Sequence, residues 1–164
     1  RALSVIWKEE NGKYLLNEPD PRGLDNYALH NGLGPMFNSG VFCDDPQELL
    51  DRVRTFADTV WHPAAPYMME GDYYPLTETR CSVHDWCAYA FFDPKKESGF
   101  IHLIRNPYAE AETFTTHLSP LDPACTYRFT NPETGEQFDT AGNAALTFAL
   151  PARSGTIWFF APKK

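Results

Sequence analysis

The sequence predicts a mainly β protein: an antiparallel β-sandwich preceded by a short N-terminal region that carries one docked amphipathic helix. Three observations lead there. Strand-length apolar runs recur from Trp86 onward. Pro, Gly and Asn punctuate them at roughly the 8–12-residue spacing of sandwiches and barrels. One stretch of helical periodicity precedes them and none follows. With 164 residues the chain has room for one well-cored domain, or one domain plus a docked fragment. The expected division is an N-terminal region over residues 1–70, holding a hairpin, a short strand and the helix as a possible barrel remnant, and a sandwich over 71–164.

Taken in order, Leu3 to Trp7 and Tyr14 to Leu16 read as a hairpin around Glu10-Asn11-Gly12-Lys13, and Glu18-Pro19-Asp20-Pro21-Arg22-Gly23 reads as a loop, because each proline disfavours helix at the residue before it. Leu33 to Phe37 and Gly40 to Cys43 read as buried strand or irregular loop. Asp45 is placed to cap a helix, with Pro46 in its first turn and Glu48 completing a capping box. Leu49, Leu50, Val53, Phe56, Val60 and Trp61 then recur at helical spacing, and His62-Pro63 is expected to end the helix. Seven strands are expected after it: Trp86 to Phe92, Phe100 to Arg105, Thr113 to Leu118, Thr126 to Thr130, Gln137 to Thr140, Ala145 to Leu150 and Thr156 to Phe160. Alternation is cleanest in Leu146, Phe148 and Leu150 against Thr147 and Ala149. That apolar face needs a cover, and a second sheet supplies it most economically.

Composition narrows the function classes. The chain is 43% hydrophobic and 15% aromatic, which excludes a disordered reading. A net charge of −8 without clustered Lys and Arg argues against nucleic acid as a partner; Lys95-Lys96 and Lys163-Lys164 read as a solvated turn and tail. No run approaches the roughly 20 apolar residues that span a bilayer, so no membrane partner is expected. Arg1 follows no initiator Met or leader pattern, and the start is read as a processed or truncated end, from which no compartment follows.

The order of signals in the second half resembles the end of the α-galactosidases of glycoside hydrolase family 36 and their relatives. The residues that carry this are Tyr67, Gly71-Asp72-Tyr73-Tyr74-Pro75-Leu76-Thr77, Asp85-Trp86, the run from Gly99-Phe100-Ile101 to Arg105, and Leu118-Ser119-Pro120-Leu121-Asp122-Pro123 with Tyr127 after it. The match covers about residues 33–160. The resemblance implies that Leu33 to Phe42 is the last strand of a catalytic barrel with its loop, that Pro46 to Trp61 is its last helix, and that the sandwich is a C-terminal portion. It also implies a parent that hydrolyses terminal α-galactosides by double displacement, with both catalytic aspartates on earlier barrel strands. A chain of this length with one helix cannot supply an eight-fold barrel of about 200 residues or more, so no catalytic residue is nominated here and the expected partner is the parent's barrel.

Adjacent carboxylates do not replace that pair, since retaining hydrolysis needs carboxyl groups about 5–5.5 Å apart across the bond. Glu9-Glu10 and Asp44-Asp45 fit a hairpin and a helix cap better, and Asp72 fits a turn, although Asp72 and Asp85 could meet in space. Cys81, His84 and Cys87, with Cys125 as a fourth ligand, could form a zinc site. Their spacing is not a standard finger pattern, so buried reduced thiols are preferred and neither metal nor cofactor is expected. The alternative functions are a stand-alone carbohydrate-binding sandwich and a protein-interaction module. For sugar stacking the candidates are Trp7, Tyr73, Tyr74 and Trp86, whereas Trp61 and Trp158 lie in apolar patterns that suit core packing.

Overall fold

The structure, a computed structural model, describes residues 25–35, 47–78 and 81–163, together with the backbone of 7–10 and 13–16. The expected Asp45 cap, its Pro46 and most of the 33–43 segment lie outside the described residues. The hairpin is present as strands β1, Trp7–Glu10, and β2, Lys13–Leu16, paired antiparallel with Trp7 opposite Leu16.

Helix α1, Asn26–Asn31, was not anticipated from the sequence. Its signals are short: Asp25 caps it by accepting the Ala28 N–H at 2.9 Å, and Gly32 closes it one turn later. The long helix begins as α2, Gln47–Phe56, widens into a π-turn over Ala57–Trp61, and continues as α3, His62–Glu70. His62-Pro63 therefore does not end it. Pro63 has no N–H to give to the preceding turn and would crowd it; the π-turn takes up the mismatch, with His62 N–H reaching Ala57 O five residues back. A helix of 24 residues results.

At Gly71 the chain turns from α3 directly into strand β3, Asp72–Pro75, where the sequence suggested a turn. A Cβ at Gly71 would stand 2.7 Å from Tyr67 O and 3.0 Å from Phe92 O, so only glycine lets the helix end approach the sheet so closely. The remaining strands fall where the spacing placed them: β4 Trp86–Asp93, β5 Ser98–Arg105, β6 Thr113–Thr116, β7 Thr126–Thr130, β8 Gln137–Ala141, β9 Leu146–Ala149 and β10 Ser154–Pro162.

All pairings are antiparallel. Six strands form one sheet in the order β3-β4-β5-β10-β7-β8, and β6 pairs with β9 in a second, smaller sheet. The fold is thus a sandwich of unequal sheets with helices on the outer face of the larger one. Between the sheets, Ala90, Ile101, Leu103, Phe129 and Phe160 meet Leu146 and Phe148. On the opposite face, Phe100 and Ile157 meet Leu29, Phe56, Val60 and Ala64 from the helices. Strand β5, covered on both sides, is buried from Ser98 to Ile104, which is why its sequence is nearly continuously apolar instead of alternating. The Leu118 to Tyr127 segment that carried the family resemblance builds the turn into β7: Leu118 and Leu121 are buried, and the Asp122 N–H donates to Tyr127 Oη at 3.2 Å.

Candidate functional site

The helix-covered face of the large sheet holds a group of buried polar side chains. In the apolar run Phe100-Ile101-His102-Leu103-Ile104, period-two alternation puts His102 on the same face as Phe100, and both are fully buried. Across from it, α1 projects His30, also buried. His30 Nδ1 lies 3.0 Å from His102 Nε2, and His30 Nε2 lies 2.9 Å from Glu133 Oε2.

Each member is held by its neighbours. Glu133 sits in a turn closed by Asn131, whose Oδ1 accepts the N–H groups of Glu133 and Thr134 and whose Nδ2 donates to Thr156 Oγ1 at 2.9 Å. Helix α1 is tied to the start of β10: Asp25 pairs with Arg153, Asn26 Oδ1 accepts the Gly155 N–H at 2.8 Å, and the Arg153 guanidinium lies over the Tyr27 ring. A Cβ at Gly155 would stand 2.4 Å from His30 Cβ, so the imidazole occupies space that only glycine leaves open.

His30 Nε2 faces the Glu133 carboxylate and His30 Nδ1 faces His102 Nε2, so one proton lies between the two rings and its donor is set by the tautomers of the pair. Burial, and secondarily the neighbouring His30, pushes the His102 pKa well below its ordinary value, which keeps that ring neutral. Among the described residues, His102 Nδ1 is the buried side-chain polar atom left without a hydrogen-bond partner.

His102 and His30 belong to the wall of a cavity of about 720 Å³ bounded, among the described residues, by α1, β4, β5, Thr77, Glu78 and residues 81–83. Tyr89, opposite His102 in the β4–β5 pairing, packs its ring 5.0 Å from the imidazole, and burial drives its phenol strongly towards the neutral form. Tyr73 stands at the rim, 54% exposed, its ring 5.8 Å from that of Tyr89. Cys81 and Cys87 also line the cavity. Burial first, then Cys81, pushes the Cys87 thiol up to about 12, so it is a poor nucleophile near neutral pH.

No protein-family model and no curated protein matches this chain. Among solved structures it is similar to a Bacillus halodurans protein provisionally described as an alpha-N-acetylgalactosaminidase, with 12% identity and a TM-score of 0.46. The match covers 60% of this chain and 23% of that one, so the chain spans less than a quarter of that protein's length.

The residues singled out from sequence are dispersed. Trp7 lies in β1, and its side chain is outside the described residues. Tyr73 points outward at the cavity rim, while Tyr74, its neighbour on the other face of β3, packs against the core between the sheets. Trp86 is only 7% exposed; its ring stacks on Phe114 at 5.7 Å and its Nε1–H donates to Ala111 O, leaving only a margin for a shallow cleft beside Thr77 and Cys81. Cys81 and Cys87 share the cavity, but His84 is exposed against Tyr108, and Cys125 hydrogen-bonds Asp122 just before β7. Since β7 stands three strand spacings from β4, about 14 Å away, Cys125 cannot join them. No group of three His, Cys, Asp or Glu among the described residues is placed to hold a metal ion. Asp72 pairs with Phe92 near one end of β4 and Asp85 precedes its other end, about 23 Å along the strand, so the two do not meet.

His30, His102 and Glu133 were not found from sequence. The signal for His102 was present: a titratable ring inside an otherwise apolar strand demands a partner. The signals for His30 and Glu133 were not, since their meeting depends on a short helix and on contacts more than 70 residues apart.

Proposed function

We propose that this chain is the non-catalytic C-terminal β-sandwich portion of an α-galactosidase-like glycoside hydrolase, built to support the catalytic barrel of its parent. The observation that carries this reading is the junction at Gly71. The long helix runs without a linker through the Gly-Asp-Tyr-Tyr-Pro-Leu segment into the edge strand of the sandwich, so helix and sandwich move as one piece. A last barrel helix fused in this way would brace the barrel on the sheet.

Three acidic residues of the sandwich are held in the ionised form by local partners, which suits anchoring and not acid catalysis. Ser82 holds the Asp85 carboxyl below its ordinary range, Lys96 does the same for Asp93, and Arg128 with Lys163 for Asp139. A general acid for glycoside cleavage needs the opposite shift, upward by burial or a like charge. These three are anchors for turns and ion pairs, and the catalytic pair belongs to the parent.

The test is hydrolysis of an aryl α-galactoside by the protein of the complete encoding reading frame and by the 164-residue chain alone. Turnover is expected from the first and none from the second. Turnover by the chain alone, or a reading frame that encodes no barrel ahead of Arg1, would overturn the proposal.

A further inference from the structure

We infer that Cys81 and Cys87 are an oxidation site: a low-molecular-weight disulfide converts the two thiols to an intrachain disulfide that ties the 81–86 turn to β4. The inference concerns this chain's own thiols and does not depend on the assignment of the parent enzyme.

The backbone brings the two sulfurs to one point of the sheet. Cys87 lies in β4 on the face it shares with Tyr89, and it lines the cavity wall together with Cys81. Thr77 carries the other side of the pair: its N–H donates to Ala88 O at 3.3 Å, its Oγ1 accepts the Ala88 N–H at 3.1 Å, and the same oxygen meets Cys81 Sγ at 3.3 Å. A contact from Cys81 Sγ to Glu78 O at 3.1 Å holds the residue turned back on the strand. The Cys81 sulfur therefore stands beside the Cys87–Ala88 peptide, within hydrogen-bonding reach of the Cys87 thiol. Both are free thiols in this structure, and each keeps some exposure through which a small oxidant can reach the pair. Cys125, before β7, is held about 14 Å from β4 by the strand order and does not compete.

The two sulfurs have different roles. Burial, and secondarily Cys81, raises the Cys87 thiol above its ordinary range, so Cys81 supplies the first nucleophile. Cys81 loses its proton to water, and its thiolate attacks one sulfur of the small disulfide; that S–S bond breaks and one small thiolate leaves. Cys87 then gives up its proton, and its sulfur attacks Cys81 Sγ in the mixed disulfide, expelling the second small thiolate. Two protein thiols and one small disulfide become one protein disulfide and two small thiols, with two electrons passing from the protein sulfurs to the oxidant. A basic thiol is a poor leaving group, so the finished bond resists reduction at Cys87. Closing even this short loop restricts the unfolded chain enough to raise the thermal midpoint by about 5 °C.

The experiment equilibrates the 164-residue chain with oxidised and reduced glutathione, quenches it by alkylation, cleaves it before aspartate and reads the products by non-reducing mass spectrometry, alongside thermal unfolding. Cleavage before Asp72, Asp85 and Asp93 puts Cys81 on peptide 72–84 and Cys87 on peptide 85–92, so their disulfide joins two separate peptides. With oxidised glutathione in excess, these two peptides are expected to be linked and the midpoint to rise by about 5 °C, both reversed by dithiothreitol. Cys87→Ser should trap Cys81 as its mixed disulfide with glutathione, the intermediate of the second step. Cys81→Ser should leave Cys87 outside any protein disulfide and make the midpoint insensitive to the oxidant. A bond from either sulfur to Cys43, to Cys125 or to a second chain would overturn the inference. So would thiols that stay free or end as glutathione adducts in the unsubstituted chain, or a linked pair with no rise in the midpoint.

Discussion

At the residue scale, two imidazoles share one buried hydrogen-bond chain, and its costs set the first two predictions. His102 is held neutral by burial, so its folded-state pKa lies below its unfolded value near 6.5. A depressed histidine contributes stability that is fully present above the unfolded pKa. It is lost as pH falls from about 6.5 toward the folded pKa, where the unfolded chain binds a proton the folded chain refuses. The groups facing it are His30 from α1, Tyr89 from β4 and, through His30, Glu133. Urea unfolding between pH 7 and 5 should therefore show stability falling by up to about 1.4 kcal/mol per pH unit, and His102→Gln should flatten that slope. An unchanged slope in the variant would place the titration elsewhere. The second prediction concerns Gly155. Its replacement by alanine puts a methyl group 2.4 Å from His30 Cβ, and the imidazole has no room to retreat because Phe56 meets it edge-on at 5.0 Å. Overpacking of this kind costs about 1–3 kcal/mol, measurable as a lowered urea midpoint with an unchanged m-value.

At the element scale, the helix-to-strand corner at Gly71 carries the next prediction. Gly71→Ala should destabilise the chain by about 1–3 kcal/mol, since both nearby atoms are backbone carbonyl oxygens that cannot swing aside. Amide exchange should localise the damage: β3, an edge strand joined to the sheet only through β4, should lose protection before β5 does. Uniform loss of protection would mean that β3 and the central strands open together. This corner also shows what a sequence can and cannot reveal. The strands from Trp86 onward were legible because turn residues bracket each one and their periodicity is local. Strand β3 was not, because Gly-Asp followed by Pro within six residues is turn chemistry, and its pairing with β4 is what makes it a strand. The extension of the helix past Pro63 was hidden for a related reason: a π-turn is a backbone accommodation with no side-chain signature. Tyr73 could be nominated as an exposed ring from alternation alone, whereas the cavity behind it is assembled from four separate segments that no local pattern links.

At the scale of the whole molecule, the decisive feature is that the large sheet is covered on both faces, by β6 and β9 on one and by the helices on the other. The second core therefore joins residues on both sides of position 70: Phe56, Val60, Ala64 and Met68 pack on Phe100 and Ile157, with Tyr89, Phe91 and Phe159 at the margin. Removing residues 1–70 would uncover this face. Phe100 and Ile157 are fully buried in the intact chain, and complete exposure of such side chains costs about 1.5–3 kcal/mol each, comparable in sum to much of a domain's net stability of about 5–15 kcal/mol. The uncovered surface would also be flat, aromatic and continuous with the β3 edge, the kind of patch that drives association. A chain of residues 71–164 should accordingly self-associate or bind a hydrophobic dye strongly in light-scattering and fluorescence measurements under conditions where the 164-residue chain is monodisperse. Phe148→Ala, which opens the opposite core between β9 and the large sheet, should instead lower stability by about 3–5 kcal/mol without creating that patch. The two changes thus separate the roles of the covers. If the shortened chain is monomeric, cooperative in unfolding and dye-silent, the sheet does not need its helices, and the brace assigned to the junction at Gly71 loses its physical basis.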